Sequence, residues 1–260
     1  TIMTRATVNL LANGYAVEHP YEQPARTLSL THISAVAQER VVRALVDAQQ
    51  KVVPNASLKN YSFMLVYYSV IRELYELLPD YCLIDVTNEA TEIGIVREGS
   101  LQYCTHTPFG AATIARKVAK RSAVPVGQVI AYMKDPSVRA RAEAQNPKLK
   151  SALADIVAEY EVALQELFSE TGDTLAIPKV VFIHTDLYLE PFFVEIMTRT
   201  AHQTTKVTHT VYEVTAQLLE KRYDEEARSK IKAAHRDTAL LLSAQFFHNQ
   251  QLGDDFEHTL

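Results

Sequence analysis

Residues 82–107 constrain the fold of this chain more than any other stretch. Cys82-Leu-Ile-Asp-Val86 is a short apolar run carrying a single carboxylate, Asp85. A polar turn follows over Thr87, Asn88, Glu89 and Ala90, and Ile93-Gly-Ile-Val96 then reads as a second strand. Gly99 turns the chain again, and Leu101 to Thr107 extends the pattern as a third strand. The turns are too short for a crossover helix, so the three strands form hairpins. A carboxylate at a strand end beside a polar turn is one way proteins hold Mg²⁺ and phosphate. A phosphate-cradling turn works through bare backbone, and this turn contains no glycine.

The elements around this meander predict a layered α/β architecture. Residues 6–11 and 15–18 read as strands about Asn13-Gly14, a strong turn dipeptide. Leu28 and Leu30 alternate with polar residues as a half-buried strand does. Ser34 is a candidate N-cap for a helix whose face carries Val41, Leu45 and Ala48 and which ends before Pro54. Tyr61 to Leu78 begins apolar on nearly all sides, which predicts a helix buried in a layered core. Helices are expected over 111–121, with Ile114 and Val118 inward, and after Pro125, with Val129, Ile130 and Met133 as the stripe. The clearest helix is Lys148 to Glu170, where Leu149, Leu153, Ile156, Tyr160, Leu164 and Leu167 recur at helical spacing and Gly172 closes the run. Val180 to His184 is a short buried strand, Pro191 to Met197 a helix, Lys206 to Val214 strand-like, and Thr238 to Phe247 an apolar last helix. Hairpin strands followed by helical crossovers predict a mixed sheet flanked by helices.

Composition narrows the function classes. The 260 residues carry a formal net charge of −5, which gives no support to a general nucleic-acid binder. The basic group Arg116, Lys117, Lys120 and Arg121 reads as a solvated helix face. Two cysteines, Cys82 and Cys104, lie too far apart for a metal motif, and their scarcity suits a reducing compartment. No apolar run reaches the roughly 18 residues that a membrane-spanning helix needs, and no signal peptide is read. Thr1 opens directly into a strand-like pattern, as it would in a piece of a longer chain. His32, His106 and His209 show no metal spacing, and no nucleophile elbow or Walker loop occurs.

Several segments, taken in order, resemble the actin-like ATPase superfamily, and among its branches the one containing FtsA and PilM. Leu83 to Val96 is similar to the second phosphate loop: apolar strand, Asp, glycines, Thr/Ser, Thr, Asp, strand. Asn13-Gly14-Tyr15, Pro20 and Leu28-Ser-Leu30 resemble the end of the inserted subdomain 1C. Thr107-Pro-Phe-Gly110 resembles the turn that follows those strands, and Val180 to Pro191 resembles the adenosine loop. The resemblance implies an actin-like, ribonuclease H-like α/β fold: a partial subdomain over 1–33, a second domain over 34–250, and an acidic tail over 251–260. It implies ATP and Mg²⁺ as cofactors. Asp85 is the candidate metal ligand, through water, and Asp85, Thr87, Asn88, Thr91, Thr185 and Asp186 are the candidate nucleotide contacts. The bland alternative is that Asp85 caps the polar turn and that Thr87, Asn88 and Thr91 make local hydrogen bonds.

The departures from the pattern weigh on function. Thr87, Asn88 and Glu89 stand where glycines are usual, and Glu92 stands for the closing Asp. His184, Thr185 and Asp186 replace the glycines of the adenosine loop. Glu89 brought near a phosphate costs on the order of 1 kcal/mol or more in a partly screened site. Nothing before Asn13 resembles a first phosphate loop. Two functions are carried forward. The first is a scaffold of a cell-division or type IV pilus assembly with a degenerate nucleotide site. Such a scaffold is cytoplasmic, contacts protein partners of a membrane-associated machine, self-associates, and does not insert in the membrane, since Asp254-Asp-Phe-Glu is acidic. The second is an active ATPase or kinase of the same superfold.

Overall fold

The computed structural model describes residues 2–17, 24–56, 58–170, 177–220 and 237–252. The first strands form a small sheet of their own. β1 (Ile2–Ala12) pairs with β2 (Tyr15–Ala16) across the Asn13-Gly14 turn and with β3 (Leu28–Val36), giving the order β2-β1-β3, all antiparallel. Asn13 and Gly14 take φ of 53° and 85°, the left-handed pair that a tight hairpin turn requires. The Asn13 side-chain oxygen accepts from the Arg26 and Thr27 N–H groups at 2.8 and 3.2 Å, which pins the returning strand.

Ser34 does not cap a helix. It lies inside β3, paired with Arg5, and helix α1 (Glu39–Val52) begins five residues later without a side-chain cap. Val41 and Leu45 share a face as expected, yet both are exposed and no residue of α1 is buried. The apolar run at 61–78 resolves into α2 (Phe63–Leu74), capped where the Ser62 hydroxyl accepts from the Leu65 N–H at 3.3 Å. Its seven buried residues, Met64 to Tyr68, Val70 and Ile71, span nearly its whole circumference.

The meander is present: β4 (Tyr81–Val86), β5 (Thr91–Arg97) and β6 (Ser100–Thr107) pair antiparallel in sequence order. After α3 (Ala111–Ser122), α4 (Val126–Lys134), α5 (Pro136–Gln145) and α6 (Pro147–Glu170), the chain returns as β7 (Val180–Thr185), parallel to β4. α7 (Glu190–Thr205) carries it to β8 (Thr210–Glu213), parallel to β7, so the sheet order is β6-β5-β4-β7-β8. The polar stretch before Pro147 is helical as α5. Asp135 accepts from the Ser137 and Val138 N–H groups and caps α5, with Pro136 at its first position. Strand character from Lys206 begins only at Thr210, because Lys206 takes φ of 60° and closes α7. The chain continues through α8 (Ala216–Leu219) and α9 (Thr238–Leu252). Gly172, Pro20 and the acidic tail lie outside the described residues.

Central β4 is buried at every position, and alternation divides its side chains between two cores. Cys82, Ile84, Val86, Val181 and Ile183 face α3, α4, α6 and α7, where the predicted α6 stripe of Leu149, Leu153, Ile156, Tyr160, Leu164 and Leu167 is buried. Tyr81, Leu83 and Phe182 face α2, α8 and α9, meeting Leu219, Leu242 and Phe246. Each fully buried Leu, Ile or Phe contributes roughly 1.5–3 kcal/mol. Two such cores hold the carboxyl ends of β4 and β7 side by side.

Candidate functional site

Parallel pairing sets Asp85 opposite His184, and antiparallel pairing sets it opposite Glu92, which in turn faces His106. Cross-strand partners share a face, so His106, Glu92, Asp85 and His184 form one row across four strands on the side of α2 and α9. Thr91 and Thr185 belong to the next row, with Val86 between them, and so point to the opposite side. The expected nucleotide contacts are therefore divided between the two faces of the sheet.

Asp85 and His184 are 2 % and 1 % exposed, and His184 Nδ1 lies 2.7 Å from Asp85 Oδ1. The second ring nitrogen, Nε2, lies 2.9 Å from Oγ1 of Thr238, the buried first residue of α9. An ionised Asp85 only accepts, so Nδ1 carries the proton toward it, and a neutral imidazole then accepts from the Thr238 hydroxyl. Phe63 and Tyr67 of α2 pack their rings 5.1 and 6.1 Å from the imidazole. The order Asp–His–Thr is that of an orienting acid, a base and a hydroxyl. Here all three are packed inside the fold, with the hydroxyl held between helix and sheet. The arrangement does not fit a hydrated Mg²⁺ on Asp85. That ion keeps several of its waters, and the carboxylate is enclosed with one oxygen already bonded to imidazole.

The turn over 87–90 is closed on itself. Thr87 N–H donates to the Ala90 carbonyl at 2.9 Å, and the Thr87 hydroxyl accepts from the Ala90 N–H at 3.1 Å. The carbonyls of Thr87 and Asn88 then accept from Ala111 and Ala112 at 2.9 and 2.8 Å. These are the first amides of α3, which a helix otherwise offers to an anion. Gly110 makes the contact possible: a Cβ there would lie 2.5 Å from both the Thr87 carbonyl oxygen and the Ala90 nitrogen. Glu89, expected to intrude on phosphates, instead accepts from both Arg116 terminal nitrogens at 2.8 and 2.5 Å. That guanidinium holds the Glu89 carboxyl below its ordinary range.

The other expected contacts are also committed within the fold. The Thr91 hydroxyl donates to the Phe109 carbonyl at 2.8 Å, so the Tyr160 hydroxyl, 2.7 Å away, donates to Thr91. Thr185 accepts from the Leu189 N–H at 3.0 Å. Asp186 is partly buried. Burial first, and then the charge of Asp85, pushes its carboxyl upward, while His184 and the Asn88 N–H draw it back. Glu92 is likewise raised, first by burial and then by Asp85.

Sequence reasoning set Asp85 in a strand beside the polar turn and named His184 only as standing for an adenosine-loop glycine; the structure pairs the two. The signal lay in aligning 82–86 with 180–185 as parallel neighbours. Thr238 and Arg116 had no such signal, because each reaches the site from a helix whose register the strands do not fix.

No protein-family model and no curated protein matches this chain. Among solved structures, a chain of the PilM-PilN type IV pilus biogenesis complex superposes with a TM-score of 0.57 at 14% identity, covering 94% of this chain and 66% of that one. This chain thus spans about two thirds of that protein's length. The activator of the 2-hydroxyisocaproyl-CoA dehydratase from Clostridium difficile, with bound ADPNP, gives 0.48 at 11% identity over all of both chains. The ethanolamine utilization protein EutJ from Carboxydothermus hydrogenoformans gives 0.42 at 12%, over 71% of this chain and 75% of that one. Fold topology, motif order and the pilus-complex superposition agree: the chain has the fold of the actin-like ATPase superfamily.

Proposed function

We propose that this chain is an actin-like scaffold whose nucleotide site is filled by its own side chains, and that it serves a membrane-associated assembly of the cell-division or type IV pilus kind. The observation that carries the reading is the buried Asp85–His184–Thr238 chain of contacts at 2.7 and 2.9 Å. The carboxylate that would serve a metal is hydrogen-bonded by an imidazole standing where a glycine is usual. Work by protein contact is in keeping with the likeness to a chain of the PilM-PilN complex. The chain would act at the cytoplasmic side through protein partners, self-association included. No described helix is long and apolar enough to cross a membrane.

Calorimetric titration with Mg-ATP tests the reading. Heat is expected to be absent, or to give a dissociation constant weaker than about 100 μM, the middle of the usual KM range for enzymes. Tighter, Mg²⁺-dependent binding abolished by Asp85→Asn would overturn it in favour of an ATPase or kinase.

A further inference from the structure

Among the described residues β8 is an edge strand, hydrogen-bonded within the sheet to β7 alone. The N–H groups of Thr210 and Val214 donate inward to the carbonyls of Lys179 and Ile183, each at 2.8 Å. Alternate residues of a strand turn their backbone groups to opposite sides. The N–H and C=O of Val211 and Glu213 therefore face outward, as two donor and acceptor pairs on an open edge. Native edges of this kind are sites of strand addition unless something blunts them.

Beside this edge, on the α2 side, lies a cavity of about 250 Å³ lined by Tyr75, Leu77, Leu78, Val180 and Tyr212. Two of its lining rings are fixed by the core: buried Phe182 stacks 5.5 Å from Tyr212 and packs at a tilt 4.8 Å from Tyr75. Leu77 at the rim is 99% exposed and Tyr212 42%. Phe182 and Tyr212 are register partners, so a residue added opposite Tyr212 on a new strand would direct its side chain to this same face. The edge is also charged asymmetrically. Lys179 and Lys206 are exposed at its start and Glu213 at its end, none of them in an ion pair among the described residues.

We propose that the open edge of β8 and its adjoining apolar cavity dock an extended segment of a partner protein by strand addition, with an aliphatic or aromatic anchor in the cavity. Backbone pairing to Val211 and Glu213 supplies the attachment and the cavity supplies the selection, which is how edge-reading domains divide those tasks. The charges choose the direction: acidic residues of the segment meet Lys179 and Lys206, and basic residues meet Glu213. The proposal rests on the scaffold reading only for the existence of a protein partner. The cavity adjoins Val180, at the opposite end of β7 from His184, so filling it does not depend on the state of the nucleotide site.

The probe is a phage-displayed library of short random peptides, selected on the full chain. The selected peptides are synthesised and tested by fluorescence anisotropy and amide hydrogen exchange. The expected peptides carry an apolar anchor between an acidic and a basic end, and they slow exchange at Val211 and Glu213. Leu77→Asp, at a site in full solvent, should weaken them at least tenfold without lowering the thermal midpoint, and Lys179→Glu with Lys206→Glu should weaken them in the same direction. A selection yielding nothing tighter than about 100 μM, on a scale where specific contacts run from mM to pM, overturns the proposal. So do peptides indifferent to Leu77→Asp. A concentration-dependent dimer abolished by Leu77→Asp would assign the edge to a second copy instead, and also overturns it. Tight Mg-ATP binding beside intact peptide docking would fail the closed-site reading and leave this one standing.

Discussion

Two buried polar groups near one another make opposite demands. His184 satisfies Asp85, so His184→Ala would leave a carboxylate enclosed without its partner. Such losses cost about 3–5 kcal/mol, and urea unfolding should show a fall of that size. Replacing both members, by Asp85→Val with His184→Leu, should cost less than the single change, because no charge then remains to be solvated. Tyr67 is the converse. Its side chain is wholly buried and its hydroxyl has no hydrogen-bond partner among the described residues. Tyr67→Phe should therefore be neutral or raise stability, by about 1 kcal/mol. Asp186 gives a pH signature. Burial raises its carboxyl in the folded state, so the folded protein holds that proton more firmly than the unfolded chain. The associated stability is full below the unfolded value near 4 and is lost as pH rises through the folded one. Asp186→Asn does not titrate. Its thermal midpoint, minus that of the parent, should grow more positive between pH 4 and pH 8; a difference flat with pH would refute the assignment.

At the scale of elements, the junction between the 87–90 turn and α3 is where turn carbonyls take up the first amides of a helix. Gly110→Ala forces a methyl against two backbone atoms at 2.5 Å, and backbone cannot swing aside. Overpacking of this kind costs about 1–3 kcal/mol. Gly94→Ala meets mainly the Met64 sulfur at 2.8 Å, the far part of a flexible side chain, and should cost less. Comparing the two midpoints in urea checks the ranking. The same junction shows what sequence can and cannot carry. The strands 82–107, the α6 stripe and the apolar α2 were legible, because period and turn chemistry are local. Ser34 was misread since a serine before an amphipathic run looks like a cap until β1 claims it as a strand partner. The role of Glu89 was hidden because its charge is answered by Arg116, whose distance from it depends on how α3 docks. Charge alone said that phosphate would be repelled. Geometry says the charge is spent elsewhere.

The whole molecule joins two kinds of sheet at β4. On one side lie hairpin neighbours. On the other lies β7, and the contact between Asp85 and His184 closes a separation of 99 residues. This seam has a kinetic meaning. Loop closure must be met before distant pairings return any stability, so the meander of β4, β5 and β6 should assemble first and β7 join after the rate-limiting barrier. Ile93→Val and Ile183→Val remove the same methylene from the same core, at about 0.5–1.5 kcal/mol each. They should divide differently: the first slowing refolding, the second chiefly hastening unfolding, as stopped-flow chevron arms would show. A chain halted before that last step would hold its meander with Asp85 still bare to water. His184 would then arrive late, and until it docked Asp85 would lack the side-chain contact that holds it in the folded protein.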